Sequence, residues 1–227
     1  NALIVGAGPG LSASLARLAA AEGMHVAVAA RNIDKLKQLC RATGARAYAC
    51  DSAEPNAVET LFQNIDRDLG ALNLVVYNAS ARERGAVHTL SPESVRQALL
   101  VSCFGGFLVG RQAAQRMLQR GSGSILFTGA SASVKGFAES ASFAMGKFGL
   151  RGLAQSMARE LAPKGVHVAH FVIDGGIASG NAQLDEDRAQ DRLLNPDEIA
   201  KTYLQIHRQQ RSAWTWEVEL RPWVEKF

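Results

Sequence analysis

At 227 residues, with 47% hydrophobic and 20% charged side chains, the chain has the make-up of one globular domain spanning residues 1–227, large enough to bury a substantial core. The net charge is only +4 and cations alternate with acids rather than forming a basic run, which argues against a nucleic-acid partner. Uncharged stretches such as residues 97–110 are too short to cross a bilayer, so no membrane span is expected.

In chain order, Ala2–Val5 is a short apolar run that reads as a buried strand. The turn Gly6-Ala7-Gly8-Pro9-Gly10 follows, then a helical pattern over Leu11–Ala21. Glycines between strand and helix permit a tight turn whose backbone N–H groups approach a pyrophosphate at the helix N-terminus; a structural turn without a ligand is the alternative. A strand at 25–30 leads to Ala30-Arg31-Asn32 and a helix at 33–41. One at 45–49 leads to Cys50-Asp51-Ser52 and a helix at 56–67. The run 72–77 ends in Tyr77-Asn78-Ala79-Ser80, followed by the charged residues Arg82, Glu83, Arg84 and His88. These charges either receive an anionic substrate or form a solvated loop.

Ser91-Pro92-Glu93 has the cap, proline and acid of a helix start, and a single helix is expected over 92–119. A strand at 124–128 precedes Ala130-Ser131 and a helix over Ala141–Leu161. Val166–Ile173 runs into Asp174-Gly175-Gly176-Ile177-Ala178-Ser179. The polar segment up to Leu194 is either a mobile flap over a site or a solvated connector. Asn195-Pro196-Asp197-Glu198 repeats the helix-start signal, and Trp214, Trp216 and Trp223 in the tail are expected to pack in the core or a subunit interface. Apolar strands alternating with amphipathic helices predict a three-layer, doubly wound parallel α/β sheet, the Rossmann fold, in one domain.

Cys40, Cys50 and Cys103 lack ligand spacing and read as buried thiols of a reducing compartment. No signal-peptide pattern precedes the first strand, and a chain opening on Asn1 is expected to lack a few leading residues; a cytoplasmic location follows as an expectation. His25, His167, His170 and His207 suggest no metal site.

The spacing Gly6-x-x-x-Gly10-x-Ser12, with Asn78-Ala79 after the fourth strand and Lys147 four residues beyond Phe143, resembles the short-chain dehydrogenase/reductase family. That family's turn reads Gly-x-x-x-Gly-x-Gly, and its catalytic motif is Tyr-x-x-x-Lys. The resemblance covers nearly the whole chain, with Ser12 in place of the third glycine and Asp174 in place of a proline. It implies a dinucleotide held by Gly6, Gly8, Pro9, Gly10, Leu11, Asn32, Ser52, Asn78, Ala79, Ser80, Gly175, Ile177 and Ser179. Asp51 would lie against the adenine and Lys147 on the nicotinamide ribose. A cofactor 2′-phosphate calls for a cation after the second strand, and Arg31, assisted by Lys35, favours NADP(H) over NAD(H). An exposed arginine at a strand end is the other reading.

In that family the tyrosine protonates the substrate carbonyl, a serine thirteen residues earlier binds it, and an asparagine supports a water relay. Here the tyrosine position is Phe143, and thirteen residues earlier stands Ala130, with Ser131 beside it. Ser102 aligns with the asparagine, and the lysine is kept as Lys147. A phenyl ring cannot donate a proton, and losing a positioned acid costs roughly 10²–10⁴ in rate. Ser131, Ser142, Asp174 or a water is left to supply it; Asp174, if partly buried near the nicotinamide, would have a pKa raised enough to act as an acid, and a helix-flanking or turn-capping aspartate is the other reading. Ala144, Gly146 and Gly149 permit close helix packing, and the resemblance implies a homodimer or homotetramer. Two functions fit: an atypical NADP(H)-dependent oxidoreductase acting on a carbonyl or alcohol, or a catalytically silent NADP(H)-binding protein.

Overall fold

A computed structural model describes residues 1–178 and 191–225. Among these residues seven parallel strands form one sheet in the order β3-β2-β1-β4-β5-β6-β7. They are β1 Ala2–Val5, β2 Val26–Ala30, β3 Arg46–Ala49, β4 Leu74–Tyr77, β5 Gly123–Thr128, β6 Val166–Ile173 and β7 Glu217–Leu220. The strand order reverses at β1, where Val5 pairs with Ala29 on one side and Tyr77 on the other. The loops leaving β1 and β4 therefore diverge to opposite faces and open a crevice at the carboxyl edge of the sheet.

Both faces are covered, as the apolar runs of β1 and β4 and the fully buried β6 require. On one face lie α3 (Pro55–Asp68), α5 (Gly105–Arg120) and α6 (Ala141–Leu161), with Phe62, Val109 and Leu150 in the core. On the other lie α1 (Leu11–Ala21), α2 (Lys37–Thr43) and the last helix, here α7 (Pro196–His207), with Leu15, Ile199 and Tyr203 buried. Successive residues of β6 feed the two cores alternately: Val168 joins the first, Ala169 the second. The expected helix start at Asn195 is present, its side chain accepting the Asp197 N–H at 2.9 Å. None of the described helices is long and apolar enough to cross a membrane.

Several expectations need correction. The helix expected over 33–41 begins as a short 3-10 turn, Asp34–Leu36, before α2. The helix expected over 92–119 is α4 (Pro92–Leu99), a π-helical turn (Leu100–Phe104) and α5 in succession. The interruption has a local cause: the buried Tyr77 hydroxyl, also bonded to Ser52 Oγ at 3.1 Å, donates to the Val101 carbonyl. Ser102 Oγ at the same turn bonds the Ala81 backbone, so these contacts hold the wider turn. β7 has no counterpart among the expected strands, because its Glu-Val-Glu-Leu sequence shows no apolar run. Among the cysteines only Cys50 is buried, while Cys40 and Cys103 are half-buried; all three are free thiols. Trp214 stacks on His167 with ring centroids 4.6 Å apart and Trp216 packs against the core, but Trp223 is 81% exposed.

The π turn depends on a missing side chain. A Cβ at Gly105 would stand 2.4 Å from Tyr77 Oη and 2.7 Å from the Ser52 carbonyl oxygen. Gly105→Ala is therefore expected to destabilise the protein by about 1–3 kcal/mol, read as a lower urea midpoint; an unchanged midpoint would show that the turn is not tightly packed.

Candidate functional site

The crevice is built on one close backbone approach. Gly6 leaves β1 with φ +85°, and a Cβ there would stand 2.3 Å from the Ala79 backbone nitrogen. A side chain is excluded both by that left-handed conformation and by the neighbour. Ser12 then fastens the turn: its Oγ donates to the Gly6 carbonyl at 3.1 Å and accepts from Asn78 Nδ2 at 2.7 Å. Serine in the third-glycine position thus joins the ends of β1 and β4, a role its small size alone did not suggest. Gly10 caps α1 without a side-chain bond, and the first turn holds no acid. Gly8 and Gly10 each face open space where a side chain would project. Backbone N–H groups at the start of an eleven-residue helix are thereby available to an anion.

Beside this turn lies a cavity of about 350 Å³ lined by Gly6, Arg31, Asn32, Lys35, Asp51, Ser52, Asn78, Ala79 and Ser80, with Val101 from the π turn. The fold thus gathers eight of the sequence-singled residues, from four different strand ends, with Lys35 beside them. Gly8 and Pro9 instead line an adjoining groove between α1 and α2, shared with Lys35 and Arg17. The Leu11 side chain belongs to the core. Asp51 accepts the Ala53 N–H at 3.0 Å, and Asn32 accepts the Asp34 N–H at 3.0 Å, so both also shape their own turns. Gly175 packs against Pro222, and Ile177 bridges to Leu194 on the far side of the sheet's carboxyl edge. Ser179 and most of the expected flap lie outside the described residues.

Phe143 and Lys147 sit one turn apart on α6. Lys147 is buried, its Nζ donating to the Thr128 carbonyl at 2.7 Å, and it lies 5.8 Å from the centroid of the Phe143 ring. The Arg82 guanidinium stands 5.1 Å from the same centroid, so the ring carries two cations within cation–π range. Burial pushes the Lys147 amine down to about 8, the direction expected of an ammonium taken out of water. Ser131 opens a 3-10 turn directly after β5. Ser102 is fully buried, its Oγ accepting the Ala81 N–H at 3.0 Å and donating to the Ala81 carbonyl at 3.1 Å. Ser142 treats Glu83 in the same way, accepting at 3.0 Å and donating at 2.8 Å.

The raised carboxyl expected at Asp174 is overturned. Burial alone would raise it, but a hydrogen bond from Ser131 and the charges of Lys135 and Arg221 outweigh that and hold it below the ordinary range. Its Oδ2 lies 2.9 Å from Arg221 and 3.5 Å from Lys135. Asp174 is an ionised anchor tying the loop after β5 and the tail after β7 to the end of β6.

A buried group missed by the sequence lies beneath this centre. His170 on β6 holds Glu217 on β7 through Nδ1 at 3.0 Å, and Arg151 of α6 grips the same carboxylate at 2.6 and 2.7 Å. Burial pushes His170 down to about 4, outweighing the pull of Glu217, while Lys147 and Arg151 push the same way. The imidazole is therefore neutral at neutral pH and donates Nδ1–H to a carboxylate. A Cβ at Gly129 would stand 2.3 Å from His170 Nε2, which explains a glycine at the end of β5. Only recognition of β7 would have exposed this trio, since Arg151, His170 and Glu217 meet through strand pairing.

The family model for the short chain dehydrogenases matches residues 1–189. A human 3-oxoacyl-[acyl-carrier-protein] reductase is 28% identical over 167 residues, 73% of this chain and 70% of the reductase. A crystal structure of a short-chain dehydrogenase from Rhodopseudomonas palustris is 35% identical with a TM-score of 0.83, covering 98% of this chain and 99% of that one. A metagenomic short-chain oxidoreductase solved in complex with NADP is 26% identical, also with a TM-score of 0.83, covering 97% and 96%.

The buried lysine makes stability depend on pH in a definite direction. Its folded pKa of about 8 lies below the unfolded value of 10.5, so between those pH values the unfolded chain binds more protons and stability rises with pH. Below pH 8 the penalty is fully present. Lys147→Met, which removes the charge and keeps the length, is expected to stabilise the cofactor-free protein below pH 8 by up to about 3 kcal/mol. Its advantage should shrink as pH rises toward 10.5 in urea unfolding. Parallel stability curves for the two proteins would refute a desolvated Lys147.

Proposed function

The chain belongs to the short-chain dehydrogenase family, and on that premise we propose that it is an NADP(H)-dependent oxidoreductase acting on a carbonyl or alcohol, an atypical member with Phe143 at the tyrosine position. The observation that carries the cofactor choice is Arg31, exposed at the end of β2 and lining one cavity with Asp51, Asn78 and Lys35. A guanidinium there matches a ribose 2′-phosphate, where an acid would select a free hydroxyl. The NADP complex of the metagenomic relative supports the same reading.

The residues fit the cofactor on three independent counts. Open N–H groups at the start of α1 suit a pyrophosphate. The Gly6–Ala79 approach leaves no side chain between the two central strand ends. Lys147 lies one helical turn from the ring at the reacting position. The nicotinamide supplies a hydride when bound. The protein's own residues orient and enclose it: Arg31 and Lys35 take the phosphate, Asp51 the adenine end, Asn78 and Ala79 the middle, and Lys147 the nicotinamide ribose. Gly175 and Ile177 border the far end, and Ser131, bonded to Asp174, would bind the substrate oxygen by releasing that bond. Ser102 keeps the Ala79–Ala81 segment in place.

A cytoplasmic homodimer or homotetramer completes the proposal. Phe104, Phe107, Met145 and Phe148 are exposed along the π turn, α5 and α6, and the Phe104 and Phe107 rings stack at 6.1 Å. Apolar exposure of this kind is expected where copies pair.

Fluorescence titration of the full chain with NADPH and NADH tests the reading. Submillimolar NADPH binding is expected. Arg31→Ala should weaken NADPH roughly tenfold or more, a charge-assisted hydrogen bond contributing about 1.5–3 kcal/mol, and should leave NADH nearly unaffected. No binding of either nucleotide at millimolar concentration overturns the proposal.

A further inference from the structure

With a hydroxyl-free ring at the reacting centre, the groups that still hold a removable proton can be taken in turn. Ser102 and Ser142 both spend donor and acceptor on backbone, at Ala81 and Glu83. Asp174 is ionised between Lys135 and Arg221. The Ser131 hydroxyl is turned toward that carboxylate, whose negative charge opposes its ionisation. Arg82 keeps its proton at any working pH.

Lys147 remains. Its ammonium is buried, its hydrogen bond runs to one backbone carbonyl, and burial rather than a carboxylate governs its proton affinity. It shares a helix face with Phe143 at i and i+4. Resting on the oxidoreductase reading above, we propose that Lys147 is itself the acid–base group of this centre, giving its proton to the substrate oxygen in reduction and recovering it in oxidation.

The step balances without a further reactant. A bound reduced nicotinamide would supply the hydride to the carbonyl carbon and so be oxidised, and the C=O π pair would become a lone pair on oxygen. That oxygen bonds a proton from Lys147 Nζ, and the neutral amine left behind is reprotonated from water. No group leaves. A general acid works best when its pKa lies near the operating pH, and a lysine reaches that range only when desolvated.

Burial is what favours release from Lys147, and no carboxylate among the described residues opposes it. Arg82 after β4, Lys135 after β5 and Arg151 on α6 are cationic, and His170 on β6 is neutral. Each nearby carboxylate is already committed: Glu217 of β7 to Arg151 and His170, Asp174 to Lys135 and Arg221. Glu83 is exposed, and the half-buried Cys103 thiol of the π turn is pushed up by burial.

The test uses the full chain and two readouts. Lysine Nζ signals followed by ¹⁵N NMR, assigned with Lys147→Met, should show Lys147 titrating near pH 8. With a carbonyl substrate that the wild type reduces, kcat/KM for reduction should fall above that pKa, and the reverse oxidation should rise through it. Lys147→Met, folded by circular dichroism and saturated with NADPH, should lose roughly 100-fold or more in kcat. Phe143→Tyr should displace the pH limb, because a phenol then competes as the acid. A Lys147 titration above pH 10, a reduction rate flat across the limb, or wild-type turnover in Lys147→Met overturns this inference alone. A wild type that neither binds NADPH nor reduces any carbonyl overturns both readings.

Discussion

The approach of Gly6 to Ala79 fixes the distance between the two central strand ends, and the site is arranged around that distance. Any side chain at Gly6 would enter the backbone of the β4 loop, so β1 and β4 could not both end at the same crevice. Ser12 converts this sterically permitted contact into a bonded one by bridging the Gly6 carbonyl and Asn78. Once the two ends are joined, Arg31 and Asp51 from β2 and β3 fall on the same cavity wall, because their strands are in parallel register with β1. Tyr77, the last residue of β4, carries the constraint onward to the π turn through Val101 and Ser52. One backbone contact is thus coupled to the long helix that supports the reacting end.

A second constraint is the cost of burying charge. Around α6 and the ends of β6 and β7 lie Lys147, Arg151, His170, Glu217 and Asp174, all buried or half-buried. A buried charge is tolerated when paired and hydrogen-bonded. Arg151 and Glu217 pair bidentately, and Asp174 has two cations. His170 avoids the cost by remaining neutral. Lys147 is the exception: its hydrogen bond runs to a neutral carbonyl, and its low pKa follows from that arrangement. Isolated buried charges of this kind persist where function uses the destabilised form.

Much of this was legible in the sequence because parallel strands covered on both faces must be apolar throughout. The runs at β1, β4 and β6 are readable as strands, and the glycine spacing at the first turn marks the crevice. What escaped notice shares one physical feature: dependence on pairing between distant segments. β7 is an edge strand whose Glu217 meets partners on β6 and α6 and whose Glu219 pairs with Arg221 in the tail, so its sequence reads as a polar tail. The π turn is imposed on a helical sequence by a tyrosine hydroxyl from β4. The pKa of Asp174 was misjudged because desolvation is local and readable, whereas Arg221 and Lys135 arrive from other parts of the chain.

That same distinction bears on the loss of the tyrosine hydroxyl. A decayed site would be expected to leave its supporting groups slack, with side chains no longer held to one geometry. Here Ser102 and Ser142 each make two bonds to a single residue's backbone, and Gly129 leaves room for His170 where any Cβ would collide. Asp174 is clamped from two sides rather than left buried and unpaired. Each of these arrangements costs conformational entropy and, in the case of the buried charges, desolvation. Together they hold Phe143 and Lys147 in a cation-rich frame in which Ser102, Ser142, Asp174 and Glu217 are all paired. With those carboxylates and hydroxyls committed, the lysine proton is the one that no carboxylate holds, and a ring without a hydroxyl fits a centre that places its chemistry on the amine.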